Sequence, residues 1–379
     1  MSIPSFDYAI IGAGAAGLHL AIQLADDPTL RNKKILLLDR DAKVANDRTW
    51  SFWEQGESRW DEITAKQWNH ATFFSSQGRH EIPLDDYQYK TIRSSDFYQY
   101  AKQKIQSAEF TWVEDEVVEI RGQEIVGNQD TYVASHLFDS RIPPSYWQEN
   151  HKYPGLIQHF LGWFIETPKP VFNDSEVTMM DYRVKWKNQT SFHYILPFSS
   201  TSALIEFTLF NQELLEEREY EETLKSYVTE TLGIEEFNIV EKEQGQIPMS
   251  TYPFKRHHTK TLTKIGTAGG WVRPSSGYAF KNSERYARMI VKNILNNRLP
   301  SKGVATNRFR FYDKIFLQVL QERNDLGEQI FETLYTKQPA KSLFRFLDEE
   351  SNLGEDVRIM FSLDQPIFRK ALLQSFRNR

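Results

Sequence analysis

The sequence predicts an α/β fold in three parts: a Rossmann-like nucleotide-binding domain split along the chain, a mainly antiparallel β domain inserted into it, and a helical C-terminal region. Three observations predict it. A glycine-rich turn sits between a short apolar strand and a helix near the N-terminus, and a second strand, glycine loop and long helix appear near residues 261–297. Between them lie short runs that alternate apolar and polar residues, the mark of half-buried antiparallel strands.

The first unit reads FDYAIIGAGAAGLHLAIQLADD, followed by KKILLLDR. Gly12, Gly14 and Gly17 stand in G-x-G-x-x-G spacing, Ala15 and Ala16 open the helix, and Asp39 with Arg40 ends the next strand. In this pattern the first glycine makes the tight turn, the second lets the backbone approach a pyrophosphate and the third allows close helix packing; the acid accepts hydrogen bonds from a ribose. A tryptophan-rich segment, 44–83, contains NDRTWSFW. SSDFYQYAKQKIQSAEF then reads as a helix, FTWVEDEVVEI as a strand, and TYVASHLFDSR as a strand closed by Asp139 and Arg141. The middle third, 142–253, holds YRVKWK, SFHYILPF and ALIEFTLF in strand-like alternation, interrupted by an expected helix over 220–232. TLTKIGTAGGWVRPSSGYAFKNSERYARMIVKNILNN supplies the late strand, loop and helix, and from Phe309 onward aromatic residues recur at helical spacing. The expected division is therefore 1–43, 84–141 and 254–300 for the nucleotide domain, 44–83 and 142–253 for the substrate domain, and 301–379 for the helical region.

A nucleotide fold interrupted by a β insertion and closed by a late glycine loop points to FAD rather than NAD, since NAD dehydrogenases usually complete their dinucleotide fold without interruption. Composition agrees with a globular enzyme. The chain has 379 residues, a formal charge of −5, no cysteine, and 26 Phe, 17 Tyr and 9 Trp. The charge gives no reason to expect nucleic acid. Lack of cysteine excludes thiolate metal sites and cysteine nucleophiles. No metal is expected, because His257 and His258 have no further ligand at suitable spacing and are expected at the surface. The aromatic content suits either a filled core or a large apolar ligand. No apolar run reaches the roughly 18 residues a membrane span needs, and the N-terminus does not read as a signal peptide, so a cytoplasmic protein is expected.

ALIEFTLF poses the chemical question. At the strand period Ala203, Ile205, Phe207 and Leu209 form one apolar face, and Leu204, Glu206, Thr208 and Phe210 the other. If that second face meets water, Glu206 is ordinary. If it lines an apolar cavity, Glu206 is an acid with a raised pKa, and so a proton donor.

Six stretches in order resemble the flavoprotein-type lycopene cyclases: DRTWSFW (47–53), FLGWFIE (160–166), MDYR (180–183), LIEFT (204–208), GQIPM (245–249) and GTAGGWVRPSSGYAF (266–280). The chain departs from the family at Phe164, where bacterial members often carry a second acid. The resemblance implies reduced FAD as the active cofactor, NAD(P)H only as a possible flavin reductant, and redox-neutral closure of the linear ends of lycopene to β-ionone rings, by way of γ-carotene to β-carotene. Lycopene or other linear carotenoids would be the substrates, and peripheral contact with the inner membrane would follow. It places the essential acid at Glu206. Gly266, Thr267, Gly269, Gly270, Pro274 and Gly277 would meet the flavin end. Arg48 would contact a flavin phosphate or pack on Trp50 and Trp53. Glu166 and Trp163 would face the cavity, or Glu166 would be a strand-end acid; Asp181 and Arg183 would support the site or form an ion pair. The rival readings are an FAD-dependent monooxygenase or prenyl-group reductase, and a non-catalytic carotenoid or flavin carrier. Thr267 after Gly266, where many of those relatives have Asp, favours the cyclase.

Overall fold

A computed structural model describes residues 3–305, 307–363 and 366–377. Its first layer is a seven-stranded sheet built on the N-terminal unit. Strands Phe110–Glu114, Ile35–Asp39, Ser5–Ile11 and Thr131–Asp139 run parallel in that order, and Leu262–Lys264 pairs with the last of them. Ile35–Asp39 is buried along nearly its whole length, as an uninterrupted apolar strand between two helical or loop layers should be. Two antiparallel strands, Val117–Arg121 and Glu124–Gly127, finish the edge; FTWVEDEVVEI divides between Phe110–Glu114 and Val117–Arg121 rather than forming the single strand expected. The late strand is held by charge as well as by its ladder. Lys264 Nζ donates to Asp139 Oδ2 at 2.8 Å and to the Arg141 carbonyl at 2.8 Å.

The second layer is also a seven-stranded sheet. Its order is Asn238–Ser250, Gly155–Glu166, Ser202–Asn211, Ser191–Ser199, Glu176–Asp181, His70–Ser75 and Gly78–Pro83, antiparallel except where Glu176–Asp181 meets His70–Ser75. Its outer face carries Ile205, Phe207 and Leu209, the apolar face expected from sequence, packed on Tyr220, Leu224, Tyr227 and Val228. Those four come from a helix, Glu217–Ser226, and a following π turn, Tyr227–Thr231. Its inner face packs toward the C-terminal helices, which contribute Phe316, Phe331 and Phe344 to the same core.

A third, three-stranded sheet joins the layers. Tyr87–Arg93 lies between Thr49–Gln55 and Thr64–Trp68. This sheet spans the domain boundary expected at 83/84, because Tyr87–Arg93 pairs with strands of the tryptophan-rich segment. After residue 307 all described elements are helices: Asn307–Glu322, Gly327–Lys337, Ala340–Leu347, Leu353–Ser362 and Pro366–Arg377, with one short 3₁₀ turn, Asn324–Leu326. None of the described helices is long and apolar enough to cross a membrane.

Candidate active site

Three neighbouring strands put two carboxylates on one row. Glu206 pairs with Gly162, and Gly162 pairs on its other side with Glu243, so the order across the sheet is acid, glycine, acid. Strand spacing sets the two acidic Cα atoms about 10 Å apart. Gly162 keeps the space between them open: a Cβ there would stand 2.9 Å from Glu206 Cγ and 3.0 Å from Leu204 Cδ1. The two acids differ in their partners. Glu243 accepts the Thr49 N–H at 2.8 Å and the Thr49 hydroxyl at 2.7 Å. Glu206 has no hydrogen-bond partner among the described residues, and its partial accessibility is to the cavity that it lines.

Electrostatics follow from these surroundings. Burial pushes the Glu206 carboxyl well above the ordinary glutamate value, and the nearby Glu243 charge pushes the same way. Burial also raises Glu243, but its bonds to Thr49 and the charges of Arg48 and Arg93 oppose that rise. Both carboxyls are therefore raised, Glu206 the more strongly, so Glu206 is the better proton holder of the pair and Glu243 the one whose partners favour its charge. Glu243 was not anticipated from sequence. Its strand, NIVEKEQGQIPMS, has polar residues on both faces, and only the pairing with Gly162 singles it out.

The cavity holds about 530 Å³, within the range that suits a small ligand. Aromatic side chains make much of its wall, among them Phe160, Tyr194, Phe210, Tyr278 and Phe331. Tyr89 and Tyr194 share a hydrogen bond of 2.7 Å, which holds their rings edge to face, at 87° to each other. Such a wall excludes water and presents ring faces to any cation formed inside, worth about 0.5–2 kcal/mol per well-placed ring.

The same cavity reaches both glycine units. Gly14, Ala15, Ala16 and Gly17 line it, and so do Gly266, Thr267 and Gly277; the late loop lies against the first helix, where a Cβ on Gly266 would stand 3.1 Å from Ala16 Cβ. Gly12 adopts φ +102°, and a Cβ there would meet Ser140 Oγ at 2.0 Å, whereas a Cβ on Gly14 would meet nothing within 4 Å. That open space lies at the start of the helix Ala15–Asp26, which has neither a side-chain cap nor an acid in its first turn. Free N–H groups facing unfilled space fit the pyrophosphate of a dinucleotide.

A family model described as "Lycopene cyclase protein" matches residues 7–374. The chain belongs to the lycopene cyclase family. A comparison with curated proteins gives no match. Among solved structures, the chain is similar to a geranylgeranyl bacteriochlorophyll reductase-like protein from Thermoplasma acidophilum, with TM-score 0.59, 12% identity, and coverage of 99% of this chain and 96% of that one. It is also similar to a flavin-dependent brominase (TM-score 0.57, 13% identity, 99% and 100% covered) and to a tryptophan halogenase from Shewanella frigidimarina (TM-score 0.55, 11% identity, 98% and 97% covered). At such identities the likeness is one of fold, and the fold is that of Rossmann-like flavoproteins.

The remaining residues singled out on the nucleotide side of the sequence differ in their placing. Arg48 is on the cavity wall, its guanidinium 2.5 Å from the Asp47 carbonyl; it does not pack on Trp53, whose ring stacks on Phe344 instead. Asp39 and Arg40 stay off the wall. Asp39 accepts the N–H groups of Ala13 at 2.6 Å and Asp41 at 2.9 Å, so it braces the glycine turn, and Arg40 is exposed. Gly269 and Pro274 are buried beneath the late loop, and the Gly270 carbonyl accepts Arg310 at 2.8 Å.

Trp163 and Glu166 do not reach the cavity. Period two fixes this for Trp163: with Phe160 and Gly162 facing in, it faces out into the cluster of Ile205 and Phe207. Glu166 shares the parity of Phe160 and Gly162 but lies beyond them, exposed at the strand end. Asp181 and Arg183 form an ion pair at 2.5 Å, and Asp181 also accepts the Tyr227 hydroxyl at 2.5 Å. They tie the sheet to its outer π turn. His257 and His258 are half-buried rather than exposed, held by the Tyr252 hydroxyl and the Lys264 N–H. No group of three His, Cys, Asp or Glu able to hold a metal occurs among the described residues.

Proposed function

We propose that the chain cyclises the linear ends of lycopene to β-ionone rings, giving β-carotene through a one-ringed intermediate, and that it holds FAD between its two glycine units. The observation that carries this reading is the row Glu206, Gly162, Glu243 facing an aromatic cavity that reaches both units.

Ring closure needs a proton delivered to a terminal alkene, a tertiary cation held while the ring forms, and a proton lost from the neighbouring carbon. The proton count balances and no electron is transferred. Glu206 is the donor: its desolvation favours the protonated form, and it stands without a competing partner. Glu243 is the fixed anion opposite it, held by Thr49; it takes up the proton released after closure, and return of that proton to Glu206 restores the donor for the next turnover. Aromatic walls keep water from trapping the cation as an alcohol. The helix N-terminus at Gly14 to Gly17 holds the pyrophosphate, and Gly266, Thr267 and Gly277 border the flavin end. Reduced FAD, when bound, supplies a further negative charge within a dry site. NAD(P)H serves only to reduce it. Since lycopene dissolves in lipid, peripheral membrane contact belongs to the same reading.

The test is the purified protein with lycopene, FAD and dithionite and no nicotinamide, read by pigment analysis. Ring formation supports the reading. A requirement for one equivalent of NAD(P)H oxidised per double bond would make the chain a prenyl reductase instead. Two substitutions extend the test. Gly12→Ala combines a left-handed backbone with a clash on Ser140, so FAD should be lost on desalting while the folded β signal in circular dichroism remains. Gly162→Ala crowds Glu206 and should slow cyclisation about tenfold with FAD retained, since a shift of about 1 Å can cost up to a hundredfold.

A further inference from the structure

A second cavity, of about 280 Å³, lies among the C-terminal helices. Its wall is almost wholly apolar and includes Phe316, Leu334, Leu347 and Leu363, with Phe331 at one end. Phe331 also lines the main cavity, so one ring separates the two spaces. At its other end the wall consists of Val357, Met360, Phe361 and Leu372, which are 44%, 38%, 73% and 37% exposed. The space therefore extends from a greasy patch of surface to the back of the catalytic wall. Leu353 and Leu373, 62% and 63% exposed, enlarge that patch on the same two helices. Apolar side chains this exposed on neighbouring helices mark a contact with something apolar.

Size supplies the second argument. The main cavity, about 530 Å³, must take part of the flavin and one end of the substrate. That volume suits one drug-sized ligand. A linear carotenoid is much longer, and the part not being cyclised has to leave the cavity through an apolar passage.

We infer that the C-terminal helical cavity is a binding subsite for the distal polyene chain of the substrate, entered from the exposed Val357, Met360 and Phe361 rim and joined to the catalytic cavity past Phe331. The inference rests on the cyclase reading above. It assigns the helical region a function that its aromatic spacing alone does not reveal: it holds the chain while the end at Glu206 reacts. It also orders the steps. The substrate enters lengthwise from the apolar phase at the rim, and after one end is closed it must withdraw and turn before the other end can reach Glu206.

The test uses Val357→Trp with Met360→Trp, two surface-facing positions where a larger ring narrows the mouth without disturbing the core. Wild type and variant are loaded with FAD, reduced with dithionite, and given either lycopene in detergent or acycloretinal, its half-length aldehyde. The expected result is a loss of at least tenfold in kcat/KM for lycopene, carried mainly by KM, with little change for acycloretinal. Equal loss for both substrates, or no loss for either, overturns the inference. Unchanged lycopene turnover in detergent together with weaker binding to phospholipid vesicles also overturns it, and assigns the cavity to a lipid chain. A wild type that cyclises neither substrate overturns the function reading itself, a result distinct from each of these.

Discussion

Glu206→Gln should lower cyclisation by at least about two decades, the low end of what a general acid contributes, while the protein stays folded and keeps its FAD. An amide fits where a neutral carboxylic acid sat, so shape and polarity survive and only the titrating proton is lost. The wild-type rate should fall as pH rises through the elevated Glu206 pKa, because only the protonated form donates. Stability carries the same signature. A carboxyl whose pKa is raised by folding binds its proton more tightly in the folded state, so this group favours folding most at low pH, and stability declines as pH rises from the ordinary glutamate range toward the raised value. Glutamine cannot titrate, so the variant should lack that decline and be no less stable than wild type at neutral pH. Thermal unfolding of both proteins across pH, together with turnover, checks this. A Glu206→Gln protein that holds FAD and cyclises lycopene at the wild-type rate would remove the residue from the reaction.

Glu243→Gln should also slow the reaction by about two decades, for a different reason. An anion a few ångströms from a developing cation is worth about 2–4 kcal/mol at an effective dielectric of about 20, and 1.36 kcal/mol is one decade of rate. The amide oxygen can still accept the Thr49 N–H, so the link between the tryptophan-rich segment and the sheet should hold. The discriminating measurement is the pH profile. Removing the Glu243 charge leaves burial as the one remaining resolved cause of the rise at Glu206, so the alkaline limb should move to lower pH. Arg48 and Arg93, which face Glu243, would then lie near an uncharged group, which moves the limb the same way. A variant that is slower with an unmoved profile would make Glu243 a tether for Thr49 and no more.

Much of this was legible in the sequence, and the limits are physical. Gly12, Gly14 and Gly17 were readable because a dinucleotide turn constrains backbone and spacing together, and these three sit in one local unit. The two faces of ALIEFTLF were readable because alternation in a half-buried strand is unambiguous: Ile205, Phe207 and Leu209 do pack on the outer helix. Glu243 was not, since its meaning comes from a partner strand some eighty positions away. Trp163 was misplaced for a related reason: a motif groups residues that are adjacent in sequence, but adjacent strand residues point to opposite faces. For Glu166 the sequence left the cavity and the strand end as alternatives, and the second is the one observed. The strand Tyr87–Arg93 gave no sign that its ladder partners lie in the preceding segment. Aromatic residues at helical spacing in the C-terminal region read the same whether they fill a core or border a second cavity.

The acid, glycine, acid row also bears on how the chain finds its fold. A slip of one residue in either ladder around Gly162 would turn a carboxylate from the cavity to the outer face, among Leu161, Ile205 and Tyr227. There it would meet an apolar cluster with no bound partner, and an unpaired buried carboxyl, neutral or charged, is costly there. The groups proposed for the chemistry would thus also proofread the pairing of the strands that carry them. A chain lacking both carboxyl groups should fold with less certainty about its own alignment, and a Glu206→Gln, Glu243→Gln variant is where a shifted register should first be seen.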